Sequence, residues 1–220
     1  MKLDIPRIKV CCIKNKTEAI AAMKLGVDAI GLSYDTDGSH YSVPPDKIRE
    51  ITRAIPPSID AFILTRSTNS WDLIDLVRKV KNRTVQLVDR LGLGNYLEIR
   101  SSIPCVKIVQ TIKLTGDEAF ETAIKVDPFV DLIILDSEEP ESLSSGQTEN
   151  ESSMDWELCK RIIENLDTPV IIAGGLNPGN VAEIVHYTKP FGVDVCKGVR
   201  TNDELDISKL GRFIRNAKGY

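Results

Sequence analysis

Eight short apolar runs alternate with amphipathic stretches along the chain, and this alternation limits the fold more than any other feature. The strand-like runs cover residues 7–11, 27–32, 60–64, 84–88, 105–110, 130–135, 169–172 and 192–199. Helix-period stretches follow at 14–25, 46–54, 70–80, 91–101, 116–125, 155–165, 181–187 and 207–217, although Gly92 and Gly94 weaken the fourth. Parallel strands need crossovers of about a dozen residues or more, usually a helix. Eight such units predict an α/β fold, a single closed (β/α)8 TIM barrel occupying residues 1–220 as one domain. An open doubly wound sheet is the competing architecture. The first strand is not followed by Gly-x-Gly-x-x-Gly, which argues against a dinucleotide fold.

Charge and cysteine content narrow the function classes. The formal net charge of −4 gives no support for nucleic-acid binding, which calls for a basic face. Residues 1–10 carry Lys2, Asp4, Arg7 and Lys9 and do not read as a signal peptide, and no later run suits a bilayer span, so no membrane partner is expected. Five cysteines, an odd number without framework spacing, fit reduced thiols in a cytoplasmic protein. His40 and His186 lie far apart without ligand spacing, so no metal site is expected.

The most informative stretch is Ala173-Gly174-Gly175-Leu176-Asn177-Pro178-Gly179-Asn180-Val181. It reads as strand end, glycine turn and helix start. Two successive glycines allow close backbone approach to a ligand, and a helix N-terminus suits an anion. A second turn at Gly198 follows the last strand, with Thr201, Asn202 and Asp203 as candidate caps of the final helix. Paired turns after strands seven and eight are where (β/α)8 barrels hold phosphate, making Gly174, Gly175 and Gly198 candidate phosphate contacts. Lys197 is a candidate point charge beside them.

Active sites in such barrels lie at the C-terminal strand ends. Strand alternation puts Lys9 and Cys11 on one face and Asp136 on the face of Ile134; Cys11 and Asp136 are therefore expected inside the mouth. A thiol and a carboxyl facing one cavity can serve as base and acid, with Lys9 favouring the thiolate. Cys11 reads equally as a small buried apolar residue, and Asp136 also as a cap. His40, in the polar loop 33–45, is a candidate ligand contact at the mouth; the acidic, serine-rich stretch 137–153 reads as another loop.

These segments resemble the phosphoribosylanthranilate isomerase family. Lys9-Val10-Cys11-Cys12-Ile13 is similar to its Lys-Ile-Cys-Gly-Ile opening, Leu135-Asp136-Ser137 to the end of its sixth strand, and Asp155-Trp156 to its Phe-Asp-Trp. Residues 173–181 match its Ala-Gly-Gly-Leu-Asn-Pro-x-Asn-Val, and Gly192-Val193-Asp194-Val195 stands before its Ser-Ser-Gly-Val position. The resemblance implies an Amadori rearrangement of N-(5-phosphoribosyl)anthranilate without a cofactor. It implies Asp136 as the acid that opens the furanose, Cys11 as the base at C2, and Gly174, Gly175 and Gly198 as the phosphate cradle.

The chain departs from that pattern at several points. Cys12 stands where the family has glycine, His40-Tyr41 replaces Arg-Tyr, and Val88-Asp89 replaces His-Gly. Residues 146–149 replace Gly-Gly-Thr-Gly, and Cys196-Lys197-Gly198-Val199-Arg200 replaces Ser-Ser-Gly-Val-Glu. The acid, the base and the phosphate turns remain while the aglycone end has changed. A relative handling another phosphosugar amine, and a barrel that binds a phosphosugar without turnover, are the alternatives. A different lyase or synthase barrel of the pathway would need lysine and glutamate at the strand ends, where only Lys107 stands out. The expected partner is a small phosphosugar, and the expected assembly a monomer or homodimer.

Overall fold

The computed structural model describes residues 5–34, 41–137 and 155–219. Its strands are β1 (Arg7–Val10), β2 (Ala29–Ser33), β3 (Asp60–Thr65), β4 (Thr84–Leu87), β5 (Lys107–Lys113), β6 (Leu132–Asp136), β7 (Val170–Ala173) and β8 (Gly192–Val195). Between and after them run α1 (Lys16–Lys24), α2 (Pro45–Ala54), α3 (Ser70–Val80), α4 (Leu93–Ser102), α5 (Asp117–Val126), α6 (Trp156–Asn165), α7 (Val181–Thr188) and α8 (Ile207–Lys218). Each strand pairs in parallel with the next, and β8 pairs with β1 to close the barrel. The expected (β/α)8 architecture is the observed one.

Both faces of each strand are covered, so the strands read as near-continuous apolar runs. Outward side chains such as Ile8, Val10, Ile63, Leu87, Ile133 and Val193 pack under the helices in the main core. Inward side chains, among them Phe62, Leu64, Val109, Ile134 and Ile171, fill the barrel itself. Acids at the foot of the barrel hold strand starts: Asp28 Oδ2 accepts from Ile8 N at 2.8 Å and Asp131 Oδ2 from Ile108 N at 2.9 Å. Lys107 stands at this foot, 3.3 Å from Asp131, and not at the mouth where the sequence reading set it among strand-end charges.

Local signals explain most helix boundaries. Asn15 accepts from Glu18 N at 3.0 Å, and Gly26, at φ +85°, follows the end of α1. Asn69 and Asp155 cap α3 and α6 in the same way. Helix α4 forms despite Gly92 and Gly94, because Tyr96 and Ile99 are fully buried beneath it and the Tyr96 hydroxyl donates to Gln110 Oε1 at 2.7 Å. Tertiary burial outweighs the roughly 1 kcal/mol cost of a helical glycine. The final helix is capped by Asp206, which accepts from Lys209 N at 2.9 Å. Thr201, Asn202 and Asp203 are not its caps. Thr201 ends the first strand, and Asn202 and Asp203 form the tip, of a small hairpin pairing Arg200–Thr201 with Glu204–Leu205.

Candidate active site

Alternation carries Lys9 and Cys11 to the inside of the barrel, since Ile8 and Val10 face the helices. The Lys9 ammonium lies 2.6 Å from Asp194 Oδ2, with both side chains buried. It also stands over the Phe62 ring, 5.4 Å from the centroid. Gly31 on β2 leaves the room: a methyl group there would lie 2.8 Å from Cys11 Sγ and 3.1 Å from Lys9 Nζ.

Charge at this corner favours the Cys11 thiolate. A hydrogen bond from the Cys12 thiol is the largest influence; burial opposes it, and the Lys9 ammonium adds to it, bringing Cys11 down to about 6. Cys12, which interacts with both Cys11 and Cys196, is held well above the ordinary thiol range. Burial pulls Lys9 down, but the Asp194 carboxylate and the Cys11 sulfur outweigh it and leave the ammonium above its usual value. Burial pushes Asp194 up to about 7 against the attraction of Lys9. Asp194 Oδ1 has no hydrogen-bond partner among the described residues.

Across the barrel, Asp136 ends β6 on the face of Ile134. Gly174 shapes the space beside it. Its φ is +87°, and a methyl group on it would overlap Ser137 Oγ and lie 2.7 Å from Asp136 Oδ1. The glycine that opens the β7 turn is thus also the residue against which the carboxyl rests.

The two glycine turns touch. A side chain on Gly198 would overlap the Leu176 carbonyl oxygen and crowd Asn177. Gly175 adopts φ +62°, Asn180 Nδ2 donates to its carbonyl at 3.0 Å, and Asn180 Oδ1 accepts from Asn177 N at 2.9 Å. Asn177 Oδ1 in turn accepts from Gly179 N at 2.7 Å. The side chains of the turn hold its own backbone in shape. Lys197 beside it is exposed.

Cys11, Asp136, Lys9, Gly174, Gly175, Lys197 and Gly198 therefore all sit at the C-terminal end of the barrel or just inside it. His40 and residues 146–149 lie outside the described residues. His186 is exposed on α7. Sequence alone does not single out Asp194 or Lys113. The first becomes visible only when the ring closes and its register sets Lys9 opposite Asp194. The second stands in register with Asp136 because β5 runs three residues past Gln110. Asp89, at the end of the fourth unit, is paired with Arg66 at 3.1 Å.

Arg200 organises the rim. Its guanidinium donates to Glu18 Oε1 at 3.1 Å and Oε2 at 3.2 Å, to the Cys12 carbonyl at 2.5 Å and to the Asp203 carbonyl at 2.8 Å. It lies over Tyr41, whose hydroxyl donates to Asp203 at 2.5 Å. Cys12, at φ +60°, is pinned by this network in a conformation that glycine adopts more readily.

The family described as N-(5'phosphoribosyl)anthranilate (PRA) isomerase matches residues 8–216. The N-(5'-phosphoribosyl)anthranilate isomerase of Methanocella arvoryzae is 30% identical over 213 residues, covering 96% of this chain and 98% of that one. Isomerase 2 of Methanosarcina mazei is 30% identical, over 96% of this chain and 94% of its own. The crystal structure of phosphoribosyl anthranilate isomerase from Thermotoga maritima superposes with a TM-score of 0.84 at 26% identity, covering 98% of this chain and 100% of that one. The chain belongs to the N-(5'-phosphoribosyl)anthranilate isomerase family.

Proposed function

We propose that the chain catalyses the Amadori rearrangement of N-(5'-phosphoribosyl)anthranilate to its 1-deoxyribulose 5-phosphate form, a step of tryptophan biosynthesis. The observation that carries this reading is the placement of Cys11 and Asp136 at the mouth of one barrel whose β7 and β8 glycine turns touch one another. Family membership over residues 8–216 supports it.

In this assignment Gly174, Gly175 and Gly198 offer backbone amides to the 5'-phosphate, and Lys197 adds a charge. Asp136 protonates the furanose ring oxygen, the C1–O bond breaks, and the aniline nitrogen supplies the electron pair of the resulting iminium. The Cys11 thiolate takes the proton from C2, leaving an enolamine. C1 then gains a proton and the C2 hydroxyl loses one, giving the ketone. Two protons are given and two are taken back, so the oxidation of C2 and the reduction of C1 balance within the substrate. We assign the protein to the cytoplasm as one domain, acting as a monomer or homodimer. Among the described residues no helix is long and apolar enough to cross a membrane.

The test is turnover of freshly generated phosphoribosylanthranilate, followed by loss of its fluorescence. Replacing the base or the acid, Cys11→Ala or Asp136→Asn, is expected to lower kcat by ~10²–10⁴-fold, the usual scale of general acid–base catalysis. Undiminished turnover in either variant overturns that residue's role. Absent turnover in the folded parent protein, with phosphosugar still bound, overturns the isomerase assignment.

A further inference from the structure

Three of the five cysteines meet at one corner of the mouth, and the proposed isomerisation uses only one of them. Cys11 and Cys196 follow the paired residues Val10 and Val195 on adjacent parallel strands. Cys11 N donates to Val195 O at 2.9 Å, which holds the two strand ends together. Val10 and Val195 both face the helices, so Cys11 and Cys196 both turn into the barrel. Cys12 interacts with both sulfurs. Cys12 and Cys196 are partly exposed, while Cys11 lies just beneath.

We propose that Cys11, Cys12 and Cys196 form a hydroperoxide-responsive thiol site, in which Cys11 is oxidised and then joined to Cys196 by a disulfide. Chain geometry selects the pair. Adjacent residues have Cα atoms about 3.8 Å apart, short of the roughly 4.4–6.8 Å that a disulfide spans, which disfavours a Cys11–Cys12 bond. Neighbouring strands lie about 4.8 Å apart, inside that range, and the Cys11 N to Val195 O bond holds these two strand ends at that spacing, which favours the Cys11–Cys196 pair.

The chemistry needs one co-reactant, a hydroperoxide. The Cys11 thiolate attacks the terminal peroxide oxygen, the O–O bond breaks, and the departing alkoxide or hydroxide takes a proton from water. Cys11 is oxidised to a sulfenic acid and the peroxide is reduced to an alcohol or water. The Cys196 sulfur then attacks the Cys11 sulfur. The S–O bond breaks, and hydroxide leaves with the Cys196 thiol proton as water. A dithiol reverses the bond by exchange. Electrostatics at the corner agree with the order of events, since Cys11 is the sulfur held as thiolate near neutral pH. While the disulfide stands, Cys11 cannot accept a proton, so the site doubles as an off switch and protects the sulfur from irreversible oxidation.

The purified chain, treated with a small excess of hydrogen peroxide and quenched, is unfolded in denaturant, alkylated, digested and mapped by mass spectrometry. A Cys11–Cys196 cross-link that dithiothreitol removes is expected, with Cys105 and Cys159 still alkylatable. Cys159 is the internal control, being buried with its thiol pushed up to about 12. In Cys196→Ser the same treatment is expected to drive Cys11 to a sulfinic acid that dithiothreitol does not restore. The proposal is overturned if Cys11 remains alkylatable after peroxide, if the cross-link omits Cys196, or if Cys196→Ser recovers as the parent does. Because the map reads sulfur and not turnover, its result stands apart from the fate of the isomerase assignment.

Discussion

Lys9 Nζ and Asp194 Oδ2 meet at 2.6 Å inside the barrel, with the Cys11 sulfur as the third member of the group. The ammonium serves two anions at once. Its charge offsets the burial of Asp194 and also favours the thiolate. The two ends of the ion pair therefore act on Cys11 with opposite signs.

Removing them separates the effects. The proposed base works only when ionised, so kcat/KM of the parent is expected to fall as pH drops through about 6. Lys9→Met removes a cation from the thiolate and is expected to move that limb to higher pH. Asp194→Asn removes an acid whose ionised form competes for the ammonium and is expected to move it lower, by less than Lys9→Met raises it, because burial keeps Asp194 partly protonated in this range. Both changes break a buried pair and are expected to cost about 3–5 kcal/mol of stability. Displacements of the same sign in the two variants would refute the electrostatic reading.

Cys12 allows strain to be tested apart from charge. Its φ of +60° is one that glycine tolerates better, and the family resemblance puts glycine here. Cys12→Gly and Cys12→Ala both delete the thiol that donates to Cys11, so each is expected to shift the acidic limb upward by a similar amount. Only the glycine relieves the backbone, and it is expected to be more stable than the alanine variant by ~1 kcal/mol. Thermal unfolding of the two proteins measures the difference, and equal stability would show that the turn carries no strain.

Period-two alternation was enough to place Lys9 with Cys11 and Asp136 with Ile134 on the inner face, because both faces of these strands are fixed by burial. It also read the β7 glycines correctly as a turn. Asp194 was not legible, since one acid in Gly192-Val193-Asp194-Val195 has no visible partner until β8 closes onto β1. Lys113 was hidden for a related reason. Ile112 and its pairing with Leu135 extend β5 beyond the apparent end of the apolar run. Arg200 looked like a loss of the family's acid; its contacts with Glu18 and Cys12 join segments 182 and 188 residues apart.

That network gives the next prediction. Arg200→Ala leaves Glu18 buried without its cation and frees the Cys12 carbonyl. A loss of about 3–5 kcal/mol is expected, or a drop in Tm of roughly 6–20 °C for a chain of this size. Glu18→Gln in the Arg200→Ala background removes the uncompensated charge and is expected to recover part of the loss, the signature of coupled sites. A double variant no more stable than Arg200→Ala would place the cost elsewhere.

The two glycine turns should separate chemistry from binding. Gly174→Ala puts a methyl group against Asp136 and Ser137 and forces a side chain onto φ +87°. The carboxyl must move, so kcat is expected to fall by at least tenfold, since small misplacements of an acid are costly. Gly198→Ala instead drives a methyl group into the Leu176 carbonyl and pushes the β7 and β8 turns apart. The proposed phosphate cradle opens while Cys11 and Asp136 keep their strand-end positions. KM is expected to rise at least tenfold, with the larger part of the damage there and not in kcat. Inorganic phosphate, as a competitive inhibitor, supplies an independent reading: its inhibition constant should rise in Gly198→Ala far more than in Gly174→Ala. An unchanged constant in Gly198→Ala would remove the β8 turn from the phosphate site.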